Sequence, residues 1–433
     1  MLTLNTSDRT AKRVQLASAA FIVAIGAFAY GVAVAHYEIW PFSLIQDSSY
    51  AVGSLVRAGQ ILPRGRRIEP PEGASRQPFT VHDPVRIGDG LFVFLGSDDS
   101  THAYAAWLYD TSGRKLHTWR IDYRALDPGG PSSGTDMPHA FQVLHDGSVI
   151  VGFDGGDLMA RIDACGKPVW TREGIFHHSM TVADDGSIWV WRAEGSHYAQ
   201  YHYLLNFDAE TGATIREIGL IEDIIQRLGP NAFVFGVRPD YPFRHLRADP
   251  EDRDSDLFHP NDVDVLSAAL APQFPLFEAG DLLLSFREIS LVAVVAPDTA
   301  EMKWWNVGPW IKQHDPDFLP DGRISVYSNN TARRRSDILK IDPTTRAVSS
   351  DLYGGAARFY SAEMGSHQYQ PNGNVLITVP GEGRVLLVSA SGDPIMEFNN
   401  VSSQSAALNE HVENGVWLPP GYFSSLPECA EPS

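Results

Sequence analysis

At 433 residues, with 43% hydrophobic and 11% aromatic content, the chain can bury a large core and is not a disordered polymer. Its formal net charge of -19 excludes nucleic acid as a general partner, because phosphate binding needs a basic footprint. It contains no P-loop glycine pattern, no HExxH and no CxxC.

The first predicted element is a membrane helix. Arg9, Lys12 and Arg13 precede VQLASAAFIVAIGAFAYGVAVA, an uncharged run over residues 14–35, and about 20 such residues span a bilayer. Positive charge before the run, with Glu38 and Asp47 after it, predicts that residues 1–13 stay in the cytoplasm. The remainder then lies outside, which in a bacterium means the periplasmic face of the inner membrane. Ala33-Val34-Ala35 also resembles a signal cleavage site, but the apolar run is long for a cleaved signal and favours a retained single-pass anchor. Residues 36–80 read as a connector. Its second half, PRGRRIEPPEGASRQP, is a Pro- and Arg-rich linker.

From residue 81 to 433 the pattern is all-β. Short apolar runs alternate with Gly, Asp, Asn and Pro turns. One signature is an apolar strand, a tight turn and a strand often ending in Trp, as in WLYDTSGRKLHTW, ARIDACGKPVW and AVVAPDTAEMKWW. Six copies recur at roughly 40–50 residues, the period of a four-stranded propeller blade. The chain therefore predicts a six-bladed β-propeller with blades at 85–120, 139–171, 178–216, 259–306, 314–350 and 367–398. The tail NGVWLPPGYF either closes the ring or packs outside it. Residues 220–258 interrupt the repeat: IEDIIQRL has helical spacing, a charged loop follows, and the insert suits a lid or wall over one propeller face. The two cysteines, Cys165 and Cys429, are free to pair in an oxidising compartment.

A second signature carries the chemistry. His139, His178 and His314 each stand seven residues before an Asp-Gly turn (Asp146-Gly147, Asp185-Gly186, Asp321-Gly322). His259 stands at the matching place in blade four, and His367 stands five residues before Asn372-Gly373. The first strand of a blade lines the central axis, so these imidazoles are expected to meet at one mouth of the channel. His82 is a weaker sixth candidate. Imidazole serves as metal ligand, general acid or base, or nucleophile. Asp262, Asp264, Asp315 and Asp317 lie nearby in sequence. Phe176, Phe258, Trp310, Tyr360 and Tyr369 flank the histidines and offer either core packing or a stacking platform for a ring.

The stretches QHDPDFLPDGRISVYSNN with Arg333, FHPNDVDVL with GDLLLSFREIS, and SHQYQPNGNVLITV with GRVLLVSASG resemble the bacterial arylsulfate sulfotransferases over residues 82–400. The resemblance implies a periplasmic six-bladed propeller that moves a sulfuryl group from an aryl sulfate donor to a phenolic acceptor through a sulfohistidine, without a nucleotide sulfate donor. It implies His367 as first choice for nucleophile, with His314 and His259 as acid, base or sulfuryl contacts. It further implies Arg333, Asn261, Asn329, His139 and His178 as substrate-binding groups. No metal and no cofactor is expected, and the assembly stays open between monomer and homodimer. The rival readings are a non-catalytic propeller that binds a ligand or protein partner, a quinoprotein-like oxidoreductase and a metal-dependent hydrolase.

Overall fold

The uncharged N-terminal run forms one α-helix, Thr6–Tyr37. Arg13–Val34 within it is long and apolar enough to cross a membrane, a test that a signal sequence near an N-terminus also passes. Val14, Leu16, Phe21 and Phe28 are exposed, as expected of a helix whose apolar surface needs a non-aqueous surrounding. The computed structural model describes residues 6–37, 68–101, 103–129, 137–154, 157–195, 201–235, 257–352, 357–424 and 429. They fall into two units, residues 1–62 and residues 63–433.

The second unit is a six-bladed β-propeller of antiparallel sheets. Blades two to five run in simple chain order from the axis outward. Their first strands are Met137–Val143, Ile175–Val182, Pro260–Val265 and His314–Phe318. Blade six begins with Ser366–Tyr369 and ends with Pro394–Asn399. The ring is closed twice. Val412–Leu418 supplies the innermost strand of blade one, beside Leu91–Asp98. Phe79–Val81 adds an outer fifth strand to blade six, pairing Thr80 with Glu397. The tail is therefore a closing strand and not an external one.

Core residues sit between neighbouring blades. Middle strands such as Leu282–Phe286 and Leu291–Ala296 are buried along their whole length because another blade covers each face. Phe94 of blade one stacks on Phe398 of blade six at 4.1 Å, across the seam that the closing strands seal. The repeated tryptophans staple blade to blade. The indole N–H of Trp119 donates to Gly147 O, that of Trp170 to Ala209 O and that of Trp304 to Pro343 O, each carbonyl lying in a turn of the next blade. The Asp-Gly turns share one geometry. Asp146 Oδ1 accepts the backbone and hydroxyl hydrogens of Ser148 while Gly147 takes φ 84, a conformation that glycine adopts without steric penalty.

The insert begins with a π-helical segment, Leu220–Ile225, followed by a 3-10 segment, Gln226–Phe235. Ile221, Ile224, Ile225 and Phe235 pack with Trp191, Phe258 and Phe286, so this part is a wall between blades three and four. The charged loop that follows lies outside the described residues. Cys165 and Cys429 form a disulfide with their Cα atoms 5.4 Å apart, tying the tail to a turn of blade two.

Candidate active site at the channel mouth

The first strands of blades two to five share a local defect. Pairing skips a residue at His139, at His178–Ser179, at Asn261 and at Asp315–Pro316. Such bulges turn side chains out of the pleat and are common beside active sites. His178 (φ 63) and His259 (φ 46) occupy the left-handed region, which costs about 1–3 kcal/mol for a residue with a side chain and persists only where packing enforces it. The first strand of blade six pairs without a skip.

The bulges bring His139, His178, His259 and His314 together. The His139 and His178 rings lie 4.3 Å apart at their centroids. His178 Nε2 is 3.1 Å from His259 Nε2, and His178 Nδ1 is 2.6 Å from His177 Nδ1. Burial first, and then the neighbouring imidazoles of His139, His177, His259 and His314, holds the His178 pKa well below its usual 6.5. His139 Nδ1 lies 2.6 Å from Glu413 Oε1, and His411 Nε2 lies 2.7 Å from Glu413 Oε2. Burial would raise the Glu413 pKa, but His139 and His411 outweigh it and lower it, so the carboxylate is charged.

His314 has the most defined environment. Asn329 Nδ2 donates to the carbonyls of Ser361 and Met364, which turns Asn329 Oδ1 toward His314. His314 Nδ1 lies 2.8 Å from that oxygen and 3.1 Å from Lys312 O. Two acceptors require the proton on Nδ1, so Nε2 carries the lone pair. Nε2 is buried and has no hydrogen-bond partner among the described residues. Burial first, then the charge of Arg287, lowers the His314 pKa to about 3. The ring is a neutral imidazole with one bare nitrogen, suited to attack an electrophile.

The other candidates lie elsewhere or act differently. His367 is two residues closer to its turn than the mouth histidines, and about 3.3 Å per residue puts it deeper along the axis. Gly365 occupies the mouth position of blade six instead. Both ring nitrogens of His367 are engaged: Nδ1 is 2.9 Å from Asp315 Oδ2 and Nε2 is 2.8 Å from Ser325 Oγ. Asp315, Asp317 and His367 place ligand-type atoms within 4.8 Å of one another, but a metal there would have to displace one of these bonds. Asp262 and Asp264 border the same tier, and burial first, then nearby carboxylates, raises the pKa of both, that of Asp264 to about 6. Asn261 Nδ2 donates to Gln313 O and is a brace between blades. Asn329 orients His314. Arg333 is exposed in the turn after blade five's second strand. His82 sits at the outer edge of blade six near Glu397, at 3.6 Å. Phe176, Phe258 and Trp310 are fully buried core residues, and the Tyr369 hydroxyl donates to Asp351.

Sequence reading missed four residues of the mouth. Arg287 lies beside the site because its backbone N–H donates to His259 O across the hairpin. It stands within GDLLLSFREIS, so the signal was present as the single cation ending that strand. Glu413 and His411 arrive on the closing strand, whose partner no local pattern reveals. His177, beside His178 in the chain, was not singled out.

A family model for arylsulfotransferase (ASST) matches residues 140–401. None of the curated proteins compared matches the chain. Among solved structures, a protein of unknown function from Bacteroides caccae is 10% identical with a TM-score of 0.46, covering 74% of this chain and 97% of that one. Virginiamycin B lyase from Staphylococcus aureus is 9% identical with a TM-score of 0.39, covering 79% and 88%. At these scores neither likeness carries a functional argument. The family match spans more than half of the chain, over a six-bladed propeller: the protein belongs to the arylsulfotransferase (ASST) family.

Proposed function

We propose that this protein transfers a sulfuryl group from an aryl sulfate to a phenolic acceptor through a sulfohistidine, without a nucleotide sulfate donor. We place the reaction on the periplasmic side of the inner membrane, with residues 14–35 as the anchor. The disulfide supports an oxidising compartment. The observation that carries the reading is the bare, buried Nε2 of His314, whose opposite nitrogen is held protonated by Asn329. This favours His314 over His367 as nucleophile.

In the donor half, the His314 Nε2 lone pair attacks sulfur. The N–S bond forms, the S–O(aryl) bond breaks, and the phenolate leaves with a proton from the His178–His259 pair. Arg287 supplies positive charge for the sulfate oxygens. In the acceptor half, a phenol oxygen attacks the same sulfur. Its proton goes to that imidazole pair, and Nε2 regains its lone pair. Because Nε2 is covered, neighbouring side chains must move aside for the donor, which couples binding to chemistry.

The test is intact-mass spectrometry after brief mixing with 4-nitrophenyl sulfate at neutral to mildly basic pH. The expected result is a gain of one sulfuryl group that phenol removes, absent in His314→Ala and present in His367→Ala. An adduct lost only in His367→Ala restores that residue as nucleophile. No adduct and no nitrophenol from wild type favours a binding propeller.

A further inference from the structure

His177 and His202 have no part in the chemistry above, yet both are buried in blade three, at 0% and 1% exposure. A polar ring is retained in such a place only where it is hydrogen-bonded. They extend the mouth cluster outward in an unbroken line. His259 Nε2 to His178 Nε2 is 3.1 Å, His178 Nδ1 to His177 Nδ1 is 2.6 Å, and His177 Nε2 to His202 Nδ1 is 3.2 Å. Consecutive ring centroids are 4.9, 4.9 and 5.2 Å apart.

A neutral imidazole has one N–H and one lone pair. Each of the three nitrogen–nitrogen contacts therefore holds one proton, and the line has two self-consistent states. In one, His202 Nδ1, His177 Nδ1 and His178 Nε2 carry the protons. In the other, His177 Nε2, His178 Nδ1 and His259 Nε2 carry them. Taking up a proton at His202 Nε2 and releasing one at His259 Nδ1 converts the first state into the second and leaves no ring charged. The reverse shift exports a proton.

We propose that His259, His178, His177 and His202 form a proton relay between the sulfotransfer site and the outer side of blade three. The proposal rests on the sulfotransfer reading. There the donor half consumes one proton and the acceptor half returns one, and the first phenol departs before the second arrives. Storing that proton on a site imidazole is opposed by burial, which keeps His178 and His314 neutral. A relay removes the need to store it. His139, held by Glu413, and His314 act on His178, and the charge of Arg287 acts on His314. Trp191 packs against His202 at the outer end, where Nε2 is buried, so proton exchange there requires a local opening of the strand. The chain neighbours of His202, Tyr201 and Tyr203, with Glu194 and Glu222, line a hollow at the surface. His177 and His202 are positioning residues that act through His178 and His259.

The test compares single-turnover sulfation with phenyl sulfate, whose leaving group needs a proton, and with 4-nitrophenyl sulfate, whose leaving group needs little help. In His202→Phe and in the milder His202→Gln, the ratio of the first rate to the second is expected to fall about tenfold or more, within the range of general acid catalysis. Wild type is expected to show a larger solvent deuterium effect with phenyl sulfate, with a curved proton inventory. Added imidazole is expected to restore part of the ratio in the variants. Equal loss with both donors in both variants, or a linear inventory in wild type, overturns the relay and leaves the sulfotransfer reading intact. Wild type that is sulfated by neither donor overturns the sulfotransfer reading, and the relay falls with it.

Discussion

His314 Nδ1 and Asn329 Oδ1 lie 2.8 Å apart, and this contact, with Lys312 O at 3.1 Å, decides which nitrogen of His314 can react. Asn329 is itself held by two carbonyls, so its amide cannot turn to offer N–H instead. Asn329→Ala removes the nearer of the two acceptors that keep the proton on Nδ1 and leaves only Lys312 O to hold it there. The expected effect is a fall of about 10- to 100-fold in the rate of sulfation, the usual effect of losing an orienting partner. A melting temperature near that of wild type checks that the fold survives. An unchanged rate would mean that the tautomer is set elsewhere.

The neutrality of His314 has a consequence in acid. Its folded pKa of about 3 lies below the ordinary 6.5, so the unfolded chain binds the extra proton between these values. Its contribution to stability is whole above pH 6.5 and is lost as pH falls toward 3. His178 acts in the same sense. Asp262 and Asp264 oppose them, because their raised pKa values make the folded state bind protons first, below about pH 6 for Asp264. Comparing wild type with His314→Gln isolates one group. The drop in melting temperature from pH 6.5 to pH 4 is expected to be smaller in the variant. Equal drops would show that His314 is not held neutral.

Arg287 and Arg333 separate the tertiary reading from the sequence reading. Arg287 acts on His314 from within the cluster, whereas Arg333 is exposed. Arg287→Ala is expected to lower kcat/KM for 4-nitrophenyl sulfate by about 10- to 100-fold, the value of a hydrogen bond to a charged group. Arg333→Ala is expected to change it by less than about twofold. Glu288→Gln controls for the ion pair that Arg287 makes with Glu288 at 2.9 Å. The opposite ranking would return the sulfate contact to Arg333.

The Cys165–Cys429 bond closes a loop with a sequence separation of 264 residues and holds the tail beyond the closing strand. Cys165→Ser is expected to lower unfolding free energy by about 2–4 kcal/mol. Urea denaturation of the soluble propeller unit, with and without reductant, measures it. Wild type in reductant should match the variant. A midpoint indifferent to reductant would mean that the tail adds nothing to the ring.

The blades were legible because each one is local. A strand alternates at period two, Asp146-Gly147 and its counterparts demand a left-handed turn, and Trp119 or Trp304 recurs at the outer strand. The seven-residue spacing singled out His139, His178 and His314, the repeat position added His259, and the five-residue spacing of His367 set it apart from them. What repeats could not reveal depends on residues distant in sequence. Which part of the mouth receives Arg287 is set by a hairpin between blade four's inner strands. Glu413 reaches His139 across a separation of 274 residues, only because the last strand closes the first blade. The bulges that aim His178 and His259 arise from pairing register, which no single strand carries in its own sequence. The sequence by itself determined the repeat, the turns and the residue types offered to the axis. The tertiary structure decided which nitrogen is bare, which charge stands beside it and which rings touch, because burial and hydrogen-bond geometry exist only once the ring has closed.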